Sequence, residues 1–236
     1  MKRASVAALL VLIAIPLLAA MAELPPHGSS ETPAYTHVSE RYLQRGAQEA
    51  GAENIVTDVI LNYRGFDTNG EVTVIFTSVV AVAAILLLRD EERTSQERSS
   101  TPVSPVLLFI VRTMAPFIAL FGMYVILFGH LSPGGGFQGG TILGALVIVS
   151  TVVLGPDVAH RMVPAPARPW LQAAAPLTFV TVGLAGLAVT GHYLGFPSGD
   201  EWGWVGTLML VVIEIGIGVG GGTIMASIFW MMEEER

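Results

Sequence analysis

Residues 105–155 read PVLLFIVRTMAPFIALFGMYVILFGHLSPGGGFQGGTILGALVIVSTVVLG, two apolar runs joined by a turn that contains Pro133 and three successive glycines. Each run reaches the roughly 20 residues a helix needs to cross a hydrocarbon core about 30 Å thick. Lipid offers no partner to a bare peptide group, so such runs are helices whose backbone bonds close internally. Pro133 and Gly134, Gly135 and Gly136 permit a tight turn with positive φ, which makes a helical hairpin. Working outward, the same criterion marks 4–22, 72–88, 170–191 and 205–231 beside 105–129 and 137–155. The expectation is an all-α integral membrane protein with about six transmembrane helices.

Composition agrees. The hydrophobic fraction of the 236 residues is 52%, only 13% are charged, and mean hydropathy is +0.63, too apolar for a soluble globule of this size. Most of the acids behind the net charge of −7 fall in three polar stretches, 23–71, 90–97 and 233–235. They are solvated segments and imply no nucleic-acid partner. Without cysteine the chain forms no disulfide and holds no thiolate metal site or iron–sulfur cluster.

The run 4–22 follows Lys2 and Arg3 and ends Ala20-Met21-Ala22, satisfying the pattern of a signal peptide as well as that of an anchor. Its apolar length, roughly 18 residues against the 7 to 15 of a signal core, favours a retained anchor. Basic residues in short loops stay in the cytoplasm. With the N-terminus inside, Lys2, Arg3, Arg89, Arg93, Arg98, Arg161, Arg168 and Arg236 are cytoplasmic, and the short outer loops 130–136 and 192–204 carry no Lys or Arg. Both termini are then cytoplasmic in a multi-pass protein of the cell (inner) membrane. Arg112, one turn inside its helix, reaches the same face by snorkelling.

The stretch 89–104, RDEERTSQERSSTPVS, is charged and aperiodic, as a linker is. The expected organisation is an anchor or signal peptide (1–22), an extracytoplasmic segment (23–70), a transmembrane helix (71–88), a cytoplasmic linker (89–104) and a four-helix module (105–236). No internal repeat relates the parts, which argues against a transporter made of two inverted halves.

Glu214 stands nine residues into the last span, roughly 14 Å deep at 1.5 Å per residue, near the bilayer midplane. A carboxylate there costs on the order of 3 kcal/mol unless protonated or paired. Thr207, Gly218, Gly221, Gly222 and Met225 share its face by helical spacing, and small residues mark close helix packing, so Glu214 is expected to face protein or a wet cavity. Two roles fit: ion or proton transfer, or a protonated carboxyl bonded across a helix contact. Gly140/Gly144, Gly216/Gly220 and Gly218/Gly222 give small-xxx-small faces, and Pro116 is expected to kink its helix. His130 and His192 read as interfacial polar groups with no second ligand at i+3 or i+4, so no metal site is expected. Asp200, Glu201, Trp202 and Trp204 make an acidic outer loop with aromatic anchors.

Upstream, residues 54–75 read NIVTDVILNYRGFDTNGEVTVI. Ile55, Val56, Val59 and Ile60 recur at helical spacing, which suggests a short amphipathic helix on the outer surface. Arg64, Gly65, Phe66, Asp67, Thr68, Asn69, Gly70 and Glu71 would turn into the next span, with Asp67 and Thr68 as caps, Glu71 in the first turn and an Arg–Asp surface pair. The stretch ILNYRGFDTNGEVTV, residues 60–74, resembles a segment near the C-terminal end of the large A-type subunit of Mrp antiporters and of the E-type subunit of membrane-bound hydrogenases.

The loop reads Phe128-Gly129-His130-Leu131-Ser132-Pro133-Gly134-Gly135-Gly136-Phe137-Gln138-Gly139-Gly140. Its glycines could cradle an anion, although the Lys and Ser/Thr of a phosphate loop are missing. GHLSPGGGFQGG resembles the signature of the B-type subunit of Mrp-type antiporters, the MnhB domain, with the same four helices. The resemblance implies a complex of membrane subunits that exchanges Na+ for H+, with large antiporter-like and small membrane subunits as partners beside the lipid. It also fits an ion-translocating module of a hydrogenase-like or ferredoxin-linked redox complex, whose cofactors would belong to other chains. The sole lysine is Lys2, so the intramembrane lysine axis of a self-sufficient exchanger is missing. The expected role is that of an accessory transporter subunit, not an enzyme, with no catalytic residue and no cofactor of its own. A freestanding scaffold is a third reading, based on the outer segment 23–53 alone.

Overall fold

The computed structural model describes residues 2–87, 103–199 and 201–234. The expected linker 89–104 lies almost wholly outside them, as does Asp200. Among the described residues all regular structure is helical: α1 (Lys2–Ala22), α2 (Ser39–Glu49), α3 (Ile55–Thr57), α4 (Gly65–Leu87), α5 (Pro105–Leu127), α6 (Gly136–Leu154), α7 (Pro156–Met162), α8 (Arg168–Gln172), α9 (Ala174–Thr190) and α10 (Gly203–Glu234). The chain divides into two units, Met1–Leu43 and Gln44–Arg236. In the first, the apolar side chains of α1 are exposed along the helix, Leu12 at 69%, as a segment solvated by lipid requires.

Five helices are long and apolar enough to cross a membrane: Ala4–Ala22, Gly65–Leu86, Pro105–Leu127, Gly136–Leu154 and Gly203–Glu233. The sixth expected span, 170–191, is broken into α8 and the 17-residue α9. Pro176 is the cause: it has no N–H for the carbonyl four residues back, and its ring disfavours continuous helix through the preceding turn. What remains of that span is roughly 26 Å long at 1.5 Å per residue.

In the second unit α10 is the central helix, packed against α4, α5, α6, α8 and α9. Its glycines make this packing close on two sides. A Cβ on Gly140 of α6 would stand 2.8 Å from the carbonyl oxygen of Gly218, and one on Gly144 would stand 2.9 Å from that of Gly222. On the other side Gly216 lies against Thr178 of α9, and a Cβ on Gly220 would stand 3.1 Å from that of Ala175. Absence of side chains lets the backbones approach, which drives helix association where lipid removes the hydrophobic force.

One apolar cluster joins Leu61, Val72, Phe179, Val182, Leu194, Leu210, Ile213 and Ile217. A second, towards the other end of α10, joins Val147, Ala159, Val163, Ala226 and Trp230. There the Trp230 indole N–H donates to Thr151 Oγ1 at 2.8 Å, and the Arg168 guanidinium lies 4.1 Å from the centre of its ring.

Two local readings are corrected. α4 begins at Gly65, so 64–71 is not a turn. The Arg64 N–H closes on Val59 O at 2.8 Å and Thr68 Oγ1 donates to Ile60 O at 2.7 Å, carrying the chain directly from the π-helical turn Asp58–Tyr63 into α4. Thr68 is buried and ties these elements together instead of capping, while Asp67 pairs with Arg64 at 2.7 Å on the surface. Glu71 therefore sits beyond the first turn of α4. Nor is 55–60 a purely surface helix: Thr57 and Asp58 are buried, Thr57 against Gly129 O of the glycine loop and Glu214 of α10, and Asp58 against Ala52 N and Gly46.

Candidate functional site

α10 carries Glu214 to a point roughly 16 Å from Gly203 at 1.5 Å per residue. The side chain is buried, with 2% exposure. Two chain segments close over it. The first is the 128–135 loop, pulled tight where Gly135, at φ +131°, turns its N–H back to Val125 O at 3.1 Å. A Cβ on Gly129 would stand 2.6 and 2.8 Å from the two carboxyl oxygens of Glu214, and one on Gly135 would stand 3.4 Å from Oε1. Gly136 meets the carbonyl oxygen of Glu214 itself. The loop therefore offers Glu214 bare backbone. Its amides are not an anion cradle at these positions, since the N–H groups of Gly129 and Gly135 donate to the end of α5, to Ile126 O and Val125 O.

The second segment is α3 with its cap. Asn54 Oδ1 accepts from Val56 N at 3.0 Å, an N-cap bond. Its amide reaches Gly129 O at 2.7 Å and Ser132 O at 2.9 Å, while Glu53 N and Asn54 N donate to His130 O at 3.0 and 3.1 Å. Thr57 Oγ1 lies 2.8 Å from Gly129 O and 3.3 Å from Glu214 Oε1. Glu214 Oε2 is buried without a hydrogen-bond partner, and the residue lines a cavity of about 30 Å³ together with Thr57, Gly135 and Gln138, room for about one water. Thr207, one face of α10 with Glu214, donates to Gly51 O at 2.9 Å and anchors the same segment. Next to Thr57, Asp58 is fully buried; it accepts from Ala52 N at 3.1 Å, and burial pushes its carboxyl up to about 6.

The sequence motifs divide around this site. Gly129, Gly135, Gly136 and Gln138 reach Glu214 or its cavity. Gly134 and Phe137 also line the cavity, Gly134 packing on Val125 and Phe137 on the first apolar cluster; Gly139 packs on Ile126, Gly140 on Gly218, and Pro133 is exposed in the turn. His130 serves through its carbonyl, and its Nδ1 is buried without a partner. Of the other motif, Arg64, Phe66, Asp67, Gly70 and Glu71 are exposed, and Gly65 and Thr68 are buried in packing. The residues that touch the site are upstream, Asn54 and Thr57, and neither belongs to the motif 64–71. The available signal was a polar trio, Asn54, Thr57 and Asp58, set in an apolar run. No group of three His, Cys, Asp or Glu side chains among the described residues is arranged to hold a metal.

Residues 106–225 match the family model described as a domain related to the MnhB subunit of Na+/H+ antiporters, more than half the chain. The chain belongs to this MnhB-related family. Residues 7–104 of this family member match a second model, that of the E-type subunit of MBH. An uncharacterized protein of Methanocaldococcus jannaschii is 26% identical over 209 residues, covering 77% of this chain and 78% of that one. A probable K(+)/H(+) antiporter A/B-type subunit of Rhizobium meliloti is 27% identical over 187 residues, 68% of this chain but 18% of that much longer one. Among solved structures, a chain of the membrane-bound sulfane sulfur reductase, an archaeal respiratory membrane complex, superposes with TM-score 0.68 at 31% identity over 98% of both chains. A chain of the Mrp complex from Dietzia sp. DQ12-45-1b gives 0.65 at 26% identity, over 98% of this MnhB-related chain and 26% of that one. With its spans and these relatives, this is a multi-pass membrane protein similar to chains of multisubunit membrane complexes.

Proposed function

We propose that the chain is an accessory membrane component of a multisubunit Mrp-type monovalent cation (sodium)/proton antiporter, contributing to ion translocation and assembly. Its partners are large antiporter-like subunits and small membrane subunits, with Na+ and H+ as the transported ions. It acts in transport, not as an enzyme, in the cell (inner) membrane, with both termini cytoplasmic when the first helix is retained. The E-like part, up to the linker 89–104, and the four-helix MnhB-like part, 105–236, are two modules of one chain. Family membership supports this reading together with one structural observation: the two modules meet at Glu214, which is buried under Asn54 and Thr57 of one and Gly129 and Gly135 of the other. A buried carboxyl at such a joint is the candidate for proton or ion transfer. Cation-driven proton flux into membrane vesicles carrying the complex tests it. Glu214→Gln keeps the shape and removes the titrating proton. Loss of coupled exchange with normal assembly supports transfer, and retained exchange defeats it.

A second reading, an ion-translocating component of a hydrogenase-like or ferredoxin-linked redox complex, is favoured by the 98% coverage of the sulfane sulfur reductase chain and by the match to the E-type subunit of MBH. The same module would serve there, with electron-transfer groups on other chains.

A further inference from the structure

The hydroxyl of Thr57 has one proton and two neighbours that could take it. Gly129 O stands at 2.8 Å and Glu214 Oε1 at 3.3 Å. Asn54 can supply only two amide protons, and its shortest bonds, 2.7 Å to Gly129 O and 2.9 Å to Ser132 O, use both. In this geometry the Thr57 proton lies on Gly129 O, the nearer acceptor. The contact between Thr57 Oγ1 and Glu214 Oε1 is then a hydrogen bond only when Glu214 is the donor, that is, when it carries a proton. An ionised Glu214 would set a buried oxygen against the hydroxyl lone pairs, with its other oxygen unpartnered as well, a costly arrangement.

We propose that Thr57 is a hydroxyl rotor that couples the protonation of Glu214 to the clasp between the outer segment and the glycine loop. With Glu214 protonated, Glu214 donates to Thr57 and Thr57 donates to Gly129 O. When the carboxyl O–H bond breaks, its electron pair stays on Glu214 and the proton passes to water in the cavity bordered by Gln138. The hydroxyl then turns to the carboxylate, and Gly129 O loses one of its two donors. Thr57 is a positioning residue, and this role rests on the proton-transfer reading of Glu214.

Other titratable groups must be separated from this effect. Asp58 follows Thr57 but turns to Ala52 N and towards Gly46, and His130 follows Gly129 with Nδ1 buried. Tyr63, on the same turn as Asp58, donates to Glu49. On α4, Asp67 and Glu71 are exposed, as are Arg112 and Tyr124 on α5. Arg168 of α8 lies over Trp230, and α6 and α9 carry no titratable side chain.

The test is hydrogen exchange of the Glu53 and Asn54 amides, which close the clasp on His130 O, across a pH series on the assembled complex, corrected for the intrinsic pH dependence. Wild type is expected to lose protection about fivefold on raising the pH, the equivalent of one hydrogen bond. Glu214→Gln should stay protected at every pH, Thr57→Ser should follow wild type, and Thr57→Val should lose the dependence. Flat protection in wild type overturns the coupling, and so does a pH dependence that survives in Glu214→Gln, which would belong to Asp58 or His130. The coupling fails alone if Glu214→Gln still abolishes exchange transport; if transport survives as well, the reading of Glu214 fails with it.

Discussion

Substituting Gly129 by Ala adds one methyl at the point where the loop crosses Glu214. Gly129 is not among the glycines with positive φ, so alanine meets no backbone penalty there and the whole effect comes from contact. The new Cβ would stand 2.6 Å from Glu214 Oε1, 2.8 Å from Oε2 and 2.6 Å from Gly135 Cα, about 1 Å inside the 3.5 to 4.0 Å optimum for carbon contacts. Neither neighbour yields readily: Glu214 is 2% exposed, and Gly135 is held by its bond to Val125 O at 3.1 Å. Overpacking of this kind costs about 1 to 3 kcal/mol. At 2 to 4 °C per kcal/mol for a chain of this size, Tm should fall by roughly 2 to 12 °C. Gly70→Ala is the control, from the other motif. Gly70 is on the exposed face of α4 with nothing within 4 Å of an added Cβ, and alanine there should be neutral or stabilising by up to about 1 kcal/mol. Thermal unfolding of the purified protein in mild detergent compares the two. If Gly129→Ala melts no lower than Gly70→Ala, the close approach of loop and carboxyl is wrong.

Other outcomes follow from the same contacts. Asp58 has its carboxyl raised from 3.8 to about 6, so the folded state binds its proton more tightly than the unfolded state. Stability from this group is therefore complete below about 3.8, declines as pH rises to about 6 and is level above it, a loss of at most about 3 kcal/mol; Asp58→Asn should flatten this part of the pH–Tm profile. Trp230→Phe removes the bond to Thr151 and weakens the stack with Arg168, costing about 1 to 2 kcal/mol in thermal unfolding. Gly140→Ala places a Cβ 2.8 Å from Gly218 O and should lower Tm, whereas Gly221→Ala, with nothing within 4 Å, should not.

The helical hairpin of 105–155 was legible because apolar length and a glycine turn are local properties. Glu214 was legible because a carboxylate in an apolar run is conspicuous wherever its neighbours come from. The break before α9 was hidden by apolar continuity: Pro176 sits inside a run that hydropathy alone reads as one span. Asn54 and Thr57 were hidden for a different reason. Their partners on the loop lie 75 and 78 residues away for Asn54 and 72 for Thr57, and local periodicity cannot report which carbonyls will meet a polar side chain. The same distance explains why Asp67 and Thr68 invited a capping role: the bond that places Thr68 goes to Ile60 O in a π-helical turn, a geometry without a local signature.

An accessory component of a complex is defined by its company. Purification of this chain from its native membrane in mild detergent, with identification of the proteins that come with it, is therefore the most direct test. An accessory role predicts large antiporter-like membrane subunits in the complex, with the chain retained when they are present. Recovery of the folded chain alone, or as an oligomer of itself, would contradict it.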